Sequence, residues 1–131
     1  MKDILIRGIS HQDQRYSTVG DYEEFEKQIS IRISEMSDER YMFLVALHEL
    51  IELTLCRHRK ISFNDIDKFD VNFESERLQG LHKPDEEPGD SKDAPYFMEH
   101  QFATIIEKVM AIELDVNWDE YAKKWRVYEL F

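Results

Sequence analysis

YMFLVALHELIELTLC, residues 41–56, is the stretch on which the reading of this chain turns. Three ionisable side chains, His48, Glu49 and Glu52, sit inside a run that is otherwise almost wholly apolar. On a helical wheel they fall at about 0°, 100° and 40°, which makes one narrow polar strip. The remaining circumference is Leu, Ile, Val, Phe and Ala, and a helix that apolar is normally buried on most of its faces. Burying carboxylates without a partner costs several kcal/mol. The strip therefore needs compensation, and a divalent cation is the sharpest candidate.

The flanking sequence supplies the frame. Residues 3–9 (DILIRGI) alternate apolar and polar side chains and read as a first strand, and residues 28–34 (QISIRIS) place Ile29, Ile31 and Ile33 on one face of another. Residues 10–21 are rich in turn formers and read as a loop ending at Gly20-Asp21, after which Tyr22 to Lys27 leads into the isoleucine strand or pairs beside it. Ser37 is the expected N-cap of the first long helix, with Asp38 and Glu39 in its first turn, while Arg57, His58, Arg59 and Lys60 complement its negative end. Ser62 and Asp65 resemble a capping box opening a second helix through roughly Glu76, with Ile66, Phe69, Val71 and Phe73 as its apolar side.

Residues 79–94 hold Gly80, Pro84, Pro88, Gly89 and several acids, and read as a flexible surface loop whose charges are simply solvated. Pro95 suits the first turn of a third helix, whose Phe97, Phe102, Ile105, Ile106, Val109, Met110 and Ile112 are its expected core face. Asn117 and Glu120 look like the cap of a short last helix. The expected fold class is α+β: a short N-terminal hairpin or small sheet, then three to four helices, in a single domain over residues 1–131.

Composition narrows the function classes. The apolar share of 42% and aromatic share of 12% are those of a packed protein. Twenty-eight acids against seventeen bases give a net charge of −11, which argues against a non-specific nucleic-acid or anionic-membrane binder. Such a charge suits a cation binder or a protein that engages a basic partner. The single cysteine, Cys56, cannot form an internal disulfide. With no signal-like leader or apolar span, the expected location is the cytoplasm.

The chemistry centres on the strip. His48 and Glu52 are four residues apart, so both reach one ion from one helix face. Glu49, beside them, is placed to accept a proton from a water at that ion, which is the logic of the H-E-x-x-H metalloprotease helix with a carboxylate in place of the second imidazole. Zinc accepts either ligand at similar distances, and manganese or iron also suits two imidazoles and a carboxylate. A third ligand must come from elsewhere, and His100 in the Glu99-His100 pair is the first choice. Glu99 would then support the ligands or bind the ion itself. His11, Asp67, Asp70 and Glu107 remain alternatives, and Arg15, Tyr16 and Asp21 form a loop that could line the site. Two plainer readings compete: the strip is the solvent face of an ordinary amphipathic helix, or it pairs with Arg15, Arg32 or Arg40 in a buried structural network.

These residues also carry a resemblance. A strand followed by an H-E-x-x-(H/E) helix is similar to the smallest zincin-like metallohydrolases, over residues 28 to 60. More widely, the chain resembles a family of small uncharacterised proteins encoded by tailed bacteriophages and their prophages. The matching pieces are Gln14-Arg15-Tyr16, Thr18-Val19-Gly20-Asp21, His48 to Glu52, Cys56-Arg57-His58-Arg59, Glu87-Pro88-Gly89-Asp90, Ala94-Pro95-Tyr96 and Glu99-His100. The zincin likeness implies His48 and Glu52 as metal ligands, Glu49 as general base and a small-molecule or peptide substrate. It departs from the usual pattern at Glu52, where a histidine is the rule. The phage likeness implies the host cytoplasm as the location. It also suits a second expectation, that of a non-catalytic acidic accessory protein binding a host protein. An all-helical magnesium-dependent nucleotide pyrophosphohydrolase fits least, because of the isoleucine strand.

Overall fold

The computed structural model describes residues 3–129. Three strands, β1 (Asp3–Ile9), β2 (Gly20–Phe25) and β3 (Gln28–Ser34), precede four helices, α1 (Glu39–His58), α2 (Phe63–Leu78), α3 (Phe97–Glu113) and α4 (Trp118–Glu129). This small sheet followed by helices is the expected α+β class. The order in the sheet is β1-β3-β2, with β1 parallel and β2 antiparallel to β3. Tyr22 to Phe25 thus pairs beside the isoleucine strand. The hairpin closes through Glu26 and Lys27, with Glu26 in the left-handed region at φ 51°.

Alternation does the work in β3. Ile29, Ile31 and Ile33 all point into the core and are almost fully buried, because α1 lies across β3 and β2 on that side. Two close approaches show how tightly α1 is seated on the sheet. A side chain at Gly20 in β2 would run into Val45 and Glu49 of α1, and one at Gly8 in β1 into Met42. Glycine is what lets the strands come this near.

Helix boundaries follow local chemistry, with two corrections. The N-cap of α1 is Asp38, not Ser37: the Asp38 carboxylate accepts from the Arg40 N–H and is also held by the Arg40 guanidinium at 2.8 Å. Pro95 lies two residues before α3 rather than within its first turn, since Tyr96 is the cap. Ser62 caps α2 as expected by accepting from the Asp65 N–H, and the Asn117 side chain accepts from the Glu120 N–H before α4.

The apolar faces differ more. Ile66 and Phe73 of α2 are buried, but Val71 is exposed, because it lies on the far side of the helix from them. In α3 the expected core face is largely outside. Phe102, Ile105, Val109 and Ile112 are exposed, while Glu99, His100, Ala103, Glu107 and Ala111 are buried. This helix turns its polar residues inward, toward α1. No helix among the described residues is long and apolar enough to cross a membrane.

The contrast between Ile31 and Val71 gives a direct check. Ile31→Ala, at a site with no exposed surface, is expected to cost about 2–5 kcal/mol of unfolding free energy. Val71→Ala should stay within about 0.5 kcal/mol. Urea melts of the two variants measure the difference.

Candidate metal centre

The polar faces of α1 and α3 meet at one place. His48 and Glu52, one turn apart on α1, face His100 in the first turn of α3. His48 Nε2 lies 3.1 Å from Glu52 Oε2 and 3.1 Å from His100 Nδ1. His100 Nδ1 lies 2.9 Å from the same Glu52 oxygen. All three residues are buried. Of the two plainer readings the solvent face fails, and the buried network stands, but with His100, Glu107 and Tyr22 as partners in place of the expected arginines. His48 and Glu52 are not on a solvent face, and no arginine compensates them: Arg15 and Arg32 bind Asp21, and Arg40 binds Asp38.

The far side of each of the three side chains is also committed. His48 Nδ1 donates to Glu107 Oε1 at 2.7 Å, and Glu107 in turn accepts from the Tyr121 hydroxyl. His100 Nε2 faces Glu87 Oε2 at 3.2 Å and Asp90 Oδ1 at 3.3 Å. The second oxygen of Glu52 accepts from the Tyr22 hydroxyl at 3.0 Å. Each imidazole is thus flanked by carboxylates on both sides, the outer ones at His48 Nδ1 and His100 Nε2 and Glu52 at the other nitrogen. This is how metal-binding histidines are oriented in general, by an outer carboxylate on the opposite nitrogen.

Three acceptors within about 3 Å of one another repel unless positive charge lies among them. In the metal-free molecule protons supply it. Burial alone would lower the His48 pKa, but the hydrogen bonds to Glu107 and Glu52 outweigh it and hold the ring well above its ordinary value. His100 behaves the same way: its burial is outweighed by Asp90, Glu52 and Glu87, and its pKa is strongly raised. Glu52 shows the converse. Burial would raise its pKa, but hydrogen bonds from His100 and His48 pull it down to about 2. Glu52 is thus favoured as an anion, and the two imidazoles beside it are made more basic.

The triangle also fits a metal ion. Its sides of 2.9 to 3.1 Å are the separations expected of three ligands about 2.1 Å from one ion at roughly right angles. Such a set occupies one side of the coordination sphere and leaves the other side free. His48, Glu52 and His100 line a cavity of about 320 Å³, together with Glu49, Asp70, Tyr96, Trp118, Tyr121 and Trp125. A volume of this order suits a small ligand or a short peptide segment.

Glu49 lines the same cavity. Among the described residues no hydrogen bond or ion pair engages its carboxylate. Burial, and then the nearby Glu52 charge, raise its pKa well above the ordinary range. A carboxyl group moved toward neutrality is suited to exchanging protons.

The other expected site residues fall in four places. Tyr16 and Asp21 line the cavity: the Tyr16 hydroxyl donates to Asp70 at 3.1 Å and lies 3.4 Å from Asp21. Arg15 clamps Asp21 with bonds of 2.7 and 3.0 Å and reaches Asp67 on α2, so it ties the first loop to that helix. Glu99 is turned away from the ion site. Adjacent residues on a helix point about 100° apart, which aims Glu99 at the end of α1, where Arg59 holds it at 2.6 Å. His11 is also elsewhere, bonded to Ser34 and packed edge-on against Tyr128.

Glu87, Gly89, Tyr22 and Tyr121 are not among the site residues expected from the sequence, and Glu107, expected as an alternative ligand, instead backs His48. The acidic loop is not simply solvated, for its Glu87 and Asp90 orient His100. A side chain at Gly89 would run into the His100 ring, so the backbone of the short helical turn Pro88–Asp90 serves as a wall of the site. Pro88-Gly89-Asp90 was visible as a turn, but nothing in it named the partner. Glu107 had a usable signal, since it lies two turns from His100 on the same face. Tyr22 and Tyr121 had none. Comparisons with protein-family models, with curated proteins and with solved structures find no match.

Asp70 gives this site a pH signature. Burial raises its pKa to about 7, against the hydrogen bonds from Tyr96 and Tyr16 that lower it. The folded state therefore binds this proton more tightly than the unfolded chain. The resulting stability is complete below pH 4 or so and is lost as pH rises through about 7. Asp70→Asn should remove that loss, which makes the variant more stable than the parent at pH 8 by no more than about 4 kcal/mol and gives it little advantage at pH 4. Thermal melts of both proteins across this range measure the difference; equal slopes would contradict the assignment.

Proposed function

We propose that this protein is a divalent-metal-dependent, zincin-like hydrolase, with His48, Glu52 and His100 as the metal ligands and Glu49 as the general base. The observation that carries the reading is the triangle of inward-facing acceptors, each held from behind by another polar group. Zinc remains the first candidate, and the nearly right-angled ligand spacing suits manganese or iron equally well. When bound, the ion would polarise the bond to be cleaved and make a water more acidic.

The remaining roles belong to the chain. Glu107, through His48, and Glu87 with Asp90, through His100, orient the two imidazoles and make them better donors to a cation. Tyr22 restrains Glu52, so that one oxygen stays directed at the site. Glu49, whose affinity for a proton is raised by burial and by the Glu52 charge, would in its ionised form take a proton from the attacking water and return it to the leaving group. The walls of the cavity, with Tyr96, Trp118 and Trp125, limit the water around the reacting bond. The departure from histidine at residue 52 adds one negative charge to the ligand set, so the loaded site holds its ion with less net positive charge. This favours substrates with good leaving groups, or small ones that the cavity encloses.

Two expectations follow. Protein purified without an affinity tag or chelator should carry about one equivalent of a divalent transition metal by elemental analysis, and His48→Ala and His100→Ala should each lose it. A metal content equal in parent and variants would refute the ligand assignment. Glu49→Gln should keep the metal but lower turnover by about 100- to 10,000-fold in a screen of peptide, ester and phosphoester substrates. Undiminished turnover in that variant would rule Glu49 out as the base.

A further inference from the structure

The outer face of α3 poses a separate question. Met98, Phe102, Ile105, Val109 and Ile112 are 47% to 73% exposed. Their spacing is 4, 3, 4 and 3 residues, which is the seam of a heptad repeat and forms one straight stripe along the helix. A helix packs alongside α3 on only part of its surface, and that helix, α1, continues the apolar face with exposed Phe43 and half-buried Leu47 and Leu50. The α1 residues repeat the 4 and 3 spacing. Two helices in contact thus each carry apolar side chains at heptad spacing, exposed along α3 and partly exposed along α1.

We infer that this α1–α3 face is the interface of a twofold homodimer, in which the α3 seam of one copy packs against that of another. Area is the first argument. With about half to three-quarters of each side chain free, the five α3 residues and Phe43 offer on the order of 700 Å² of apolar surface. That exceeds the largest patch of a typical monomer, about 300–600 Å², and approaches the roughly 800 Å² that each partner of a stable pair buries.

Charge is the second argument. The chain carries −11, so most of its surface repels another copy, yet the only acids on α3 between Met98 and Ile112 are Glu99 and Glu107, both buried. No carboxylate interrupts the stripe. An anionic membrane would need a basic rim, which this acidic chain does not offer. Self-complementarity is the third argument. A heptad seam fits a copy of itself, and Ile105 is the midpoint of the stripe, so it meets its own counterpart whether the two α3 helices run parallel or antiparallel. His100 and Glu107 lie on the opposite side of α3, so the pairing leaves the cavity open. The inference is independent of the proposed activity.

Light scattering on a sizing column with the full chain at 10 to about 100 µM tests it. The expected result is twice the chain mass for the parent. Ile105→Glu combined with Val109→Glu should weaken association about 100-fold or more with an unchanged circular dichroism spectrum, since both positions are more than half exposed. Under mild oxidation, Ile105→Cys should cross-link into a covalent dimer. Val127→Cys, equally exposed but on α4, should not, and Cys56 is buried and does not compete. A monomeric parent overturns the inference, and flotation of that monomer with neutral phosphatidylcholine vesicles would reassign the face to lipid. A dimer that survives the double substitution, or an Ile105→Cys dimer that does not cross-link, places the interface elsewhere and also overturns it.

Discussion

Three polar atoms that face one another in a buried pocket constrain everything around them. Glu52 with the imidazoles of His48 and His100 can be buried together only if positive charge is shared among them, as protons or as a metal ion. The need for that charge explains why the surrounding groups are so committed. Glu107, Glu87, Asp90 and Tyr22 each hold one of the three side chains from behind. A cluster of this kind adds little to folding stability, because desolvating its members offsets their attraction.

The same constraint shapes the helices. A helix that must turn a histidine and two glutamates inward has little apolar surface left for the core, and α3 shows the consequence. Its inner face is Glu99, His100, Ala103 and Glu107, and its large apolar side chains lie outside. The core is instead concentrated elsewhere, in the β3 isoleucines, Leu44 and Leu53 of α1 and Tyr121 of α4. The protein has two kinds of interior: a conventional apolar one between α1 and the sheet, and a polar one between α1 and α3. The loops join the second. Arg15 and Tyr16 fasten the first loop to α2, and Gly89 brings the acidic loop against His100.

Much of this was legible before any coordinates. Strands at 3–9 and 28–34, a long helix through residue 48 and the caps at Ser62 and Asn117 follow from alternation, periodicity and turn chemistry, which are local. The pairing of His48 with Glu52 follows from helical geometry alone. The choice of His100 rested on residue type, and the structure brings it to the pair. What failed were judgments of which side faces in. Val71 and the α3 stripe are apolar and regularly spaced, yet they point outward, because periodicity shows that a helix has faces without saying which one meets a neighbour. Glu99 failed for the related reason that its partner, Arg59, lies forty residues away.

The chain's own order of residues thus determined the element types, the acidic surface and a buried-looking helix bearing an imidazole and two carboxylates. These depend on interactions within a turn or a strand, and such interactions are written in neighbouring residues. Only the tertiary structure decided that α3 brings His100 to within 3.1 Å of His48, that Glu107 and the acidic loop orient the two rings, and that an apolar seam remains uncovered outside. Those outcomes depend on how rigid elements pack, and packing is a property of whole faces meeting in space, which no short stretch of sequence contains.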